Sequence, residues 1–250
     1  MAKGRVRGDT GERVTMTRLL VHVEGQTEQS FVNEFLRGHL LTSGYHDVRS
    51  RLAGNPFKQR GGIRSWDETK RGILAHLKED REVISAVMVD YYGLPLDWPG
   101  RKEAPSKGSS LAKADHIESA LLADIAAAMG PKFNSKRFVP LIAMHEFEAL
   151  LFSDPDRFAS GIERPDLAAE FHTIRRECGG CPEDINDSAD TAPSKRILKV
   201  FPRYDKPLYG PLAAIAIGLP TIRQECSHFN SWLEQLESIV ERLADPPTSE

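Results

Sequence analysis

With 250 residues, 40% of them apolar and 28% charged, the chain can bury one substantial core, or one core plus a small appendage, and its composition is that of a globular protein. No apolar run reaches the roughly 18 residues that a bilayer span requires, and the N-terminal MAKGRVRGDTGERVTMT lacks the apolar stretch of a secretion signal, so a cytoplasmic protein is expected. The formal net charge of −3 excludes a surface coated in positive potential, and nucleic-acid binding would need a local basic face.

Residues 1–16 read as a loose basic tail. RLLVHV at 18–23 is a compact apolar run that suits a buried parallel strand. It breaks at Glu24-Gly25 and resumes as a helix with Phe31, Phe35 and Leu36 on one face. A second strand is expected at 47–52, a Gly- and Pro-bearing loop at 54–64 and a helix at 66–80. VISAVMVD at 83–90 is the clearest buried strand. The Pro-, Gly- and Ser-rich stretch 91–113 reads as a long loop, of the kind that is usually functional or mobile. A helix at 114–129 and a fourth strand at 137–144 follow, with Pro140 favouring an edge position. This alternation predicts an α/β fold with a parallel, doubly wound sheet over 17–152. From His145 the pattern changes to helices, at 145–152, 165–177, 193–200, 208–217 and 229–243, giving a helical region at 153–244 on or beside the core; 245–250 should fray.

Open α/β sheets bind ligands outside the carboxyl ends of their strands, so the strand-end residues come first. Glu24 and Glu28 follow the first strand, Asp90 ends the third, and His145-Glu146-Phe147-Glu148 follows the fourth. Carboxylates converging on one rim would suit a hard divalent ion, Mg²⁺ or Mn²⁺. Each has a plainer alternative. Glu24 can complement a helix dipole, Glu28 can be a solvated helix residue, Asp90 can be a cap, and the 145–148 cluster can open a helix around a satisfied histidine. In the functional reading His145 is a general base or phosphate donor, while Glu146 or Glu148 adds a metal ligand.

The helical half adds cations. Lys195 stands at a helix start beside Arg196, and Lys206 follows Tyr204-Asp205; either lysine could neutralise a scissile phosphate or be ordinary surface charge. Asn186 and Asp187 are weaker candidates. Between Arg49 and Arg81 nine Lys or Arg residues face four acids, and Lys58, Arg60 and Arg64 are the candidate nucleic-acid contacts, although such charges also simply solvate a helix. Cys178 and Cys181 have zinc-ligand spacing, but Cys226-x-His228 is not the usual second half, which argues against structural zinc.

LLVHVEGQTEQSF together with VMVDYYG resembles the Toprim fold of topoisomerases, bacterial primases and overcoming-lysogenization-defect nucleases. That resemblance implies a strand-end Glu (Glu24) and a later strand-end Asp (Asp90) that bind Mg²⁺ and support phosphoryl-transfer chemistry. Toprim proteins commonly carry Asp-x-Asp on the later strand, whereas here Tyr91 and Tyr92 follow Asp90, so Glu146 or Glu148 supplies the lost ligand, or one metal binds, or catalysis has been lost. VEGQTEQSFV, VDYYGLP, HEFEALLF, PEDIND, APSKRI, YDK and HFNSWL are similar to the bacterial domain-of-unknown-function 4276 family, which implies no established activity. Such families often sit beside AAA- or ABC-type ATPases in mobile or antiviral gene clusters. The expectation is therefore a Mg²⁺-dependent nuclease acting on DNA or RNA, its rivals being a non-catalytic partner subunit of such an ATPase and an enzyme acting on a small dinucleotide messenger. A homo-oligomer is compatible with either of the first two.

Overall fold

The computed structural model describes residues 16–53, 63–185 and 192–244. Four strands, β1 (Arg18–Val23), β2 (Asp47–Leu52), β3 (Val83–Asp90) and β4 (Phe138–Ala143), form one sheet in the order β2-β1-β3-β4. Every neighbouring pair is parallel, with Leu20 opposite Arg49 and Ser85, and Val87 opposite Pro140. Pro140 lies on the edge strand, where a missing N–H costs least.

The alternation within each buried strand sorts side chains onto two faces. Leu19, Val21 and Val23 of β1, Ile84, Ala86 and Met88 of β3, and Val139 and Leu141 of β4 share one core. On that face lie the first helical run, made of α1 (Gln26–Ser30), a π-helical segment (Phe31–Leu36) and α2 (Arg37–Thr42). The C-terminal helices close over the same core, contributing Phe158, Ala213, Ile217, Trp232 and Leu236 among others. On the opposite face Val87, Val89, Phe138 and Ile142 pack against α3 (Trp66–Leu77) and α4 (Ser110–Met129). His22 is buried on the sheet, and burial, reinforced by the nearby charges of His76 and Arg51, lowers its pKa to about 3, so it is neutral there.

Several expectations need correction. The helix expected at 66–80 stops at Leu77, where Lys78 closes it with hydrogen bonds to the last carbonyls. The stretch after β3 is not a loose loop. Leu94, Trp98 and Ala104 are buried in the second core, the Trp66 and Trp98 rings lie 4.9 Å apart, and Trp98 Nε1 donates to the Arg64 carbonyl at 3.0 Å. α4 starts at Ser110 rather than Ala114 because Ser109 caps it, accepting from Ala112 N at 3.2 Å. The helix expected at 145–152 is a 3₁₀ segment, Phe147–Ser153.

Beyond it lie α5 (Pro155–Gly161), α6 (Ala168–Glu177), α7 (Pro193–Val200), α8 (Lys206–Ile217), α9 (Leu219–Glu225) and α10 (Ser227–Ala244). α5 and α9 have no counterpart in the periodicity, since each spans only seven residues. Residues 1–15, most of the 54–64 loop, Asn186, Asp187 and 245–250 lie outside the described residues. Among the described residues, no helix is long and apolar enough to cross a membrane.

Candidate functional site

The chain winds from β1 outward to β2, then crosses back to β3 and on to β4, so the switch point of the sheet lies between β1 and β3. Ligands of open α/β sheets bind at such a point, beyond the strand ends. Glu24 and Asp90 stand there side by side. Asp90 N donates to Glu24 Oε2 at 3.3 Å, and Asp90 Oδ1 accepts from Phe147 N at 3.0 Å. Glu28, one turn into α1, is buried and accepts from Gly25 N through Oε2 at 2.9 Å.

The chain reaches the same rim from β4 through a sharp turn. His145 has φ +76°, a left-handed conformation that is uncommon outside glycine, and Glu146 then returns to extended geometry before the 3₁₀ segment. Phe147 anchors this turn against Phe31 of the π segment, with ring centroids 4.9 Å apart. Glu146 Oε2 accepts from Ser194 N, the second residue of α7, at 2.8 Å. Glu148 is 1% exposed; its Oε2 accepts from Lys206 Nζ at 3.1 Å, and its Oε1 is buried with no hydrogen-bond partner among the described residues. Lys206 Nζ also lies 3.5 Å from Glu146 Oε1.

Five carboxylates, Glu24, Glu28, Asp90, Glu146 and Glu148, thus meet one ammonium, Lys206, and each acid has an oxygen fixed by a named donor. The cost of this crowding shows in the acid equilibria. Burial pushes Asp90 well above the usual carboxylate range, and the charges of Glu28, Glu24 and Glu148 push it further. Glu24 and Glu28 are raised for the same first reason, burial. Glu148 rises from 4.5 to about 7, by burial first, with Lys206 opposing. Lys206 loses by burial but gains more from Glu148, Glu146 and Asp90, so its ammonium is held charged.

Two residues complete the site that strand-end reasoning did not single out. Gly93 lies against the Glu24 carboxylate so closely that a Cβ there would stand 2.5 Å from Oε1 and 2.8 Å from Oε2. Its signal was the Tyr-Tyr-Gly run after Asp90. Gly93→Ala should leave the melting temperature nearly unchanged, because the flexible end of Glu24 can swing away, yet weaken divalent-ion binding at least tenfold by calorimetry; unchanged binding would remove Glu24 from the site. Tyr204 is the second. Its hydroxyl is buried without a hydrogen-bond partner among the described residues, and burial and the Glu148 and Glu146 charges keep it protonated, a donor. Only its place two residues before Lys206 hinted at it.

Other candidates fall elsewhere. His145 is buried, its Nε2 3.5 Å from Ser110 Oγ and its ring 5.7 Å from that of Tyr92. Lys195 is exposed, and it is the neighbouring Ser194 backbone that reaches the acids. Arg64 is half-buried, with its carbonyl bound by Trp98, while Lys58 and Arg60 lie outside the described residues. The Cys226 thiol contacts Ser153 Oγ at 3.3 Å, and Cys178 and Cys181 are half-buried thiols.

Among the described residues, the group whose ligand atoms all lie within 4.8 Å of one another is not in the cleft. It is Asp115, Glu118 and His228. His228 Nε2 lies 3.0 Å from Glu118 Oε1, which also accepts from Ile142 N at 2.7 Å. Burial lowers the His228 pKa, but the Glu118 bond and the charges of Glu118, Glu183 and Asp115 raise it overall, which favours the charged imidazole of an ion pair with Glu118. The cleft acids are spaced more widely, around Lys206. That spacing still suits Mg²⁺, which keeps several of its waters and needs only one or two direct carboxylates. An all-oxygen donor set with the partnerless Glu148 Oε1 fits such a hard ion.

No curated protein and no solved structure matches the chain significantly. The model of a domain of unknown function, DUF4276, does match it over residues 23–237, a stretch that holds every acid of the cleft and Lys206, and the chain therefore belongs to the DUF4276 family.

Proposed function

We propose that the cleft is the active site of a Toprim-like, Mg²⁺- or Mn²⁺-dependent nuclease that hydrolyses phosphodiester bonds in DNA or RNA. The observation that carries this reading is the excess of acid at the switch point of a parallel sheet: among the described residues, buried Glu28 and Glu148 and half-buried Glu24, Asp90 and Glu146 gather around one lysine. Unpaired buried charge is expensive, and a divalent cation together with a phosphate group offsets it. The Toprim resemblance supports the same residues, since a Glu after β1 and an Asp ending β3 stand where that pattern needs them. Tyr92 replaces its second aspartate, and Glu148 supplies a buried carboxylate in electrostatic contact with Asp90.

In this reading Glu24, Asp90 and Glu148 hold the ion, with Glu28 and Glu146 shaping the field around them. When bound, the ion supplies Lewis-acid activation of water and neutralises charge on the phosphorus oxygens. Lys206, paired with Glu148 and Glu146, would offer its ammonium to a phosphate oxygen. The Tyr204 hydroxyl donates a hydrogen bond into the same space. A role in antiviral or mobile-element defence beside an AAA- or ABC-type ATPase follows from the resemblance alone.

The test is direct. Purified protein with Mn²⁺ or Mg²⁺ should cut single- or double-stranded DNA or RNA, and Glu24→Gln should not. A wild-type protein that binds the ion but cleaves no polymer would favour a non-catalytic partner subunit. Turnover of a cyclic or linear dinucleotide without polymer cleavage would move the substrate to a small messenger.

A further inference from the structure

A second charged feature lies at the other end of the sheet. A cavity of about 720 Å³ is lined by Arg81, Lys132, Phe133, Asn134, Lys136 and Arg137, with apolar Met129 and Ile239 at its base. Arg81 precedes β3 and Arg137 precedes β4, so the cavity opens at the amino ends of the strands. The cleft is at their carboxyl ends, and the eight residues of β3 separate the two by roughly 26 Å at about 3.3 Å per residue.

The lining is rigid. Gly130 ends α4 with φ +87°, Phe133 N donates to Gly130 O at 3.0 Å, and Arg137 N donates to Asn134 O at 3.0 Å. Asn134 Oδ1 accepts from Lys136 N at 3.1 Å, which caps the short 3₁₀ turn carrying Lys136 and Arg137. The Arg137 guanidinium is structural: it donates to the carbonyls of Val83, Leu77 and Asp80, and stands 5.8 Å over the Phe133 ring. Glu79 and Asp80, near this rim, are paired with Arg18. No carboxylate among the described residues pairs with Arg81, Lys132 or Lys136, and all three are exposed.

We propose that this cavity is a nucleic-acid contact separate from the cleft, in which a single strand lays its phosphates on Arg81, Lys132 and Lys136 and stacks a base against Phe133. Exposed, unpaired cations suit backbone phosphates, which stay partly hydrated, better than a buried anion. A half-buried aromatic ring among them is the other component of sequence-tolerant single-strand sites. The cavity volume is within the range of about 300–1,000 Å³ usual for small-ligand sites, which is room for one or two nucleotide units at a time. Asn134 uses its side-chain oxygen for the turn, so little is left to read base edges, and the contact tolerates any sequence. It stands on the geometry of this rim and is independent of whether the cleft cuts anything.

The experiment measures binding of fluorescein-labelled ten-nucleotide thymidine and uridine strands by anisotropy, in EDTA so that no metal-dependent cleavage intrudes. Wild type should bind both, and affinity should fall steeply with salt. Arg81→Ala/Lys132→Ala/Lys136→Ala should weaken binding at least tenfold and reduce the logarithmic salt slope by about 2, at about 0.7 per phosphate contact. Phe133→Leu should weaken binding several-fold without changing that slope. Lys199→Ala, which removes an exposed cation on α7, should bind like wild type, and the EDTA keeps this result apart from failure of the cleft. Because the three cations are exposed, melting temperatures should match wild type. The proposal is overturned if wild type binds neither strand, if the triple variant binds both as tightly as wild type, or if inorganic phosphate and mononucleotides bind while the strands do not.

Discussion

Asp90→Asn should abolish metal-dependent cleavage by a hundredfold or more while leaving the ion-free protein more stable than wild type. The loss follows from removing the carboxylate at the centre of the cluster, a change comparable to deleting a major transition-state stabiliser. The gain follows from linkage. The Asp90 pKa is raised in the folded protein, by burial first and then by Glu28, Glu24 and Glu148. A group raised on folding stabilises fully only below its unfolded value, and that stability is lost as pH rises through the folded value. At neutral pH and without metal, burying Asp90 therefore opposes folding, whether its charge is kept or a proton is taken up. Asparagine keeps the shape and can still accept from Phe147 N, as Oδ1 does now. If Asp90 were only a cap for the turn into the 3₁₀ segment, activity would survive and stability would fall by at most about 1 kcal/mol. Thermal melting and cleavage measured on one preparation, with and without Mg²⁺, separate the two.

The stabilisation brought by Mg²⁺ should grow strongly between pH 5.5 and pH 8. Glu148 carries the clearest case, since its pKa rises from 4.5 to about 7. Its contribution is fully present below pH 4.5 and is lost as pH rises through about 7, a loss on the order of 3 kcal/mol for a shift of that size. Above that pH the ion-free protein holds ionised, mutually repelling acids, and a divalent ion relieves them. Below it, protons do the same work and the ion has little to add. His22 acts in the opposite direction. With its folded pKa lowered to about 3, the unfolded chain takes up the proton first, and stability falls as pH drops below 6.5. Because His22 titrates alike with and without Mg²⁺, the difference between the two melting curves at each pH isolates the cleft. An equal Mg²⁺ shift at pH 5.5 and pH 8 would mean that the ion binds elsewhere.

What was legible in the sequence was what depends on local pattern. The strands β1 and β3 match their apolar runs because buried parallel strands are nearly continuous in apolar residues, β2 (DVRSRL) stands at its expected place without such a run, and the parallel order followed from the β-α alternation. Glu24 and Asp90 were legible as a pair for the same reason: both follow strands that a parallel sheet lays side by side. The other half of the cleft was legible as separate candidates, Glu146, Glu148 and Lys206, but not as a contact. Lys206 reaches Glu148 only because α8 lies close to α1 and the 3₁₀ segment. Gly210 allows that approach, since a Cβ there would stand 2.9 Å from Thr27 Cγ2 and 3.1 Å from Phe147 Cε1. No periodicity announces such a contact across 58 residues of chain. Lys195, which looked equivalent to Lys206, is exposed because its helix turns its backbone, at Ser194, toward Glu146 instead. The stretch after β3 was misjudged because its turn residues outnumber Leu94, Trp98 and Ala104, the few that bury it. The basic rim around Lys132 and Lys136 escaped notice because its cations come from two separate strand approaches, at Arg81 and at 132–137.

The central claim is that the acids at the switch point hold a divalent ion, and crystals soaked in Mn²⁺ locate that ion by its anomalous scattering. The account predicts a peak within direct ligand distance, about 2.0–2.3 Å, of at least one oxygen of Glu24, Asp90 or Glu148. Lys206 Nζ should then have moved away from Glu148 Oε2, where it now lies at 3.1 Å. A peak confined to Asp115, Glu118 and His228, or an undisturbed Lys206 with no peak in the cleft, would contradict it.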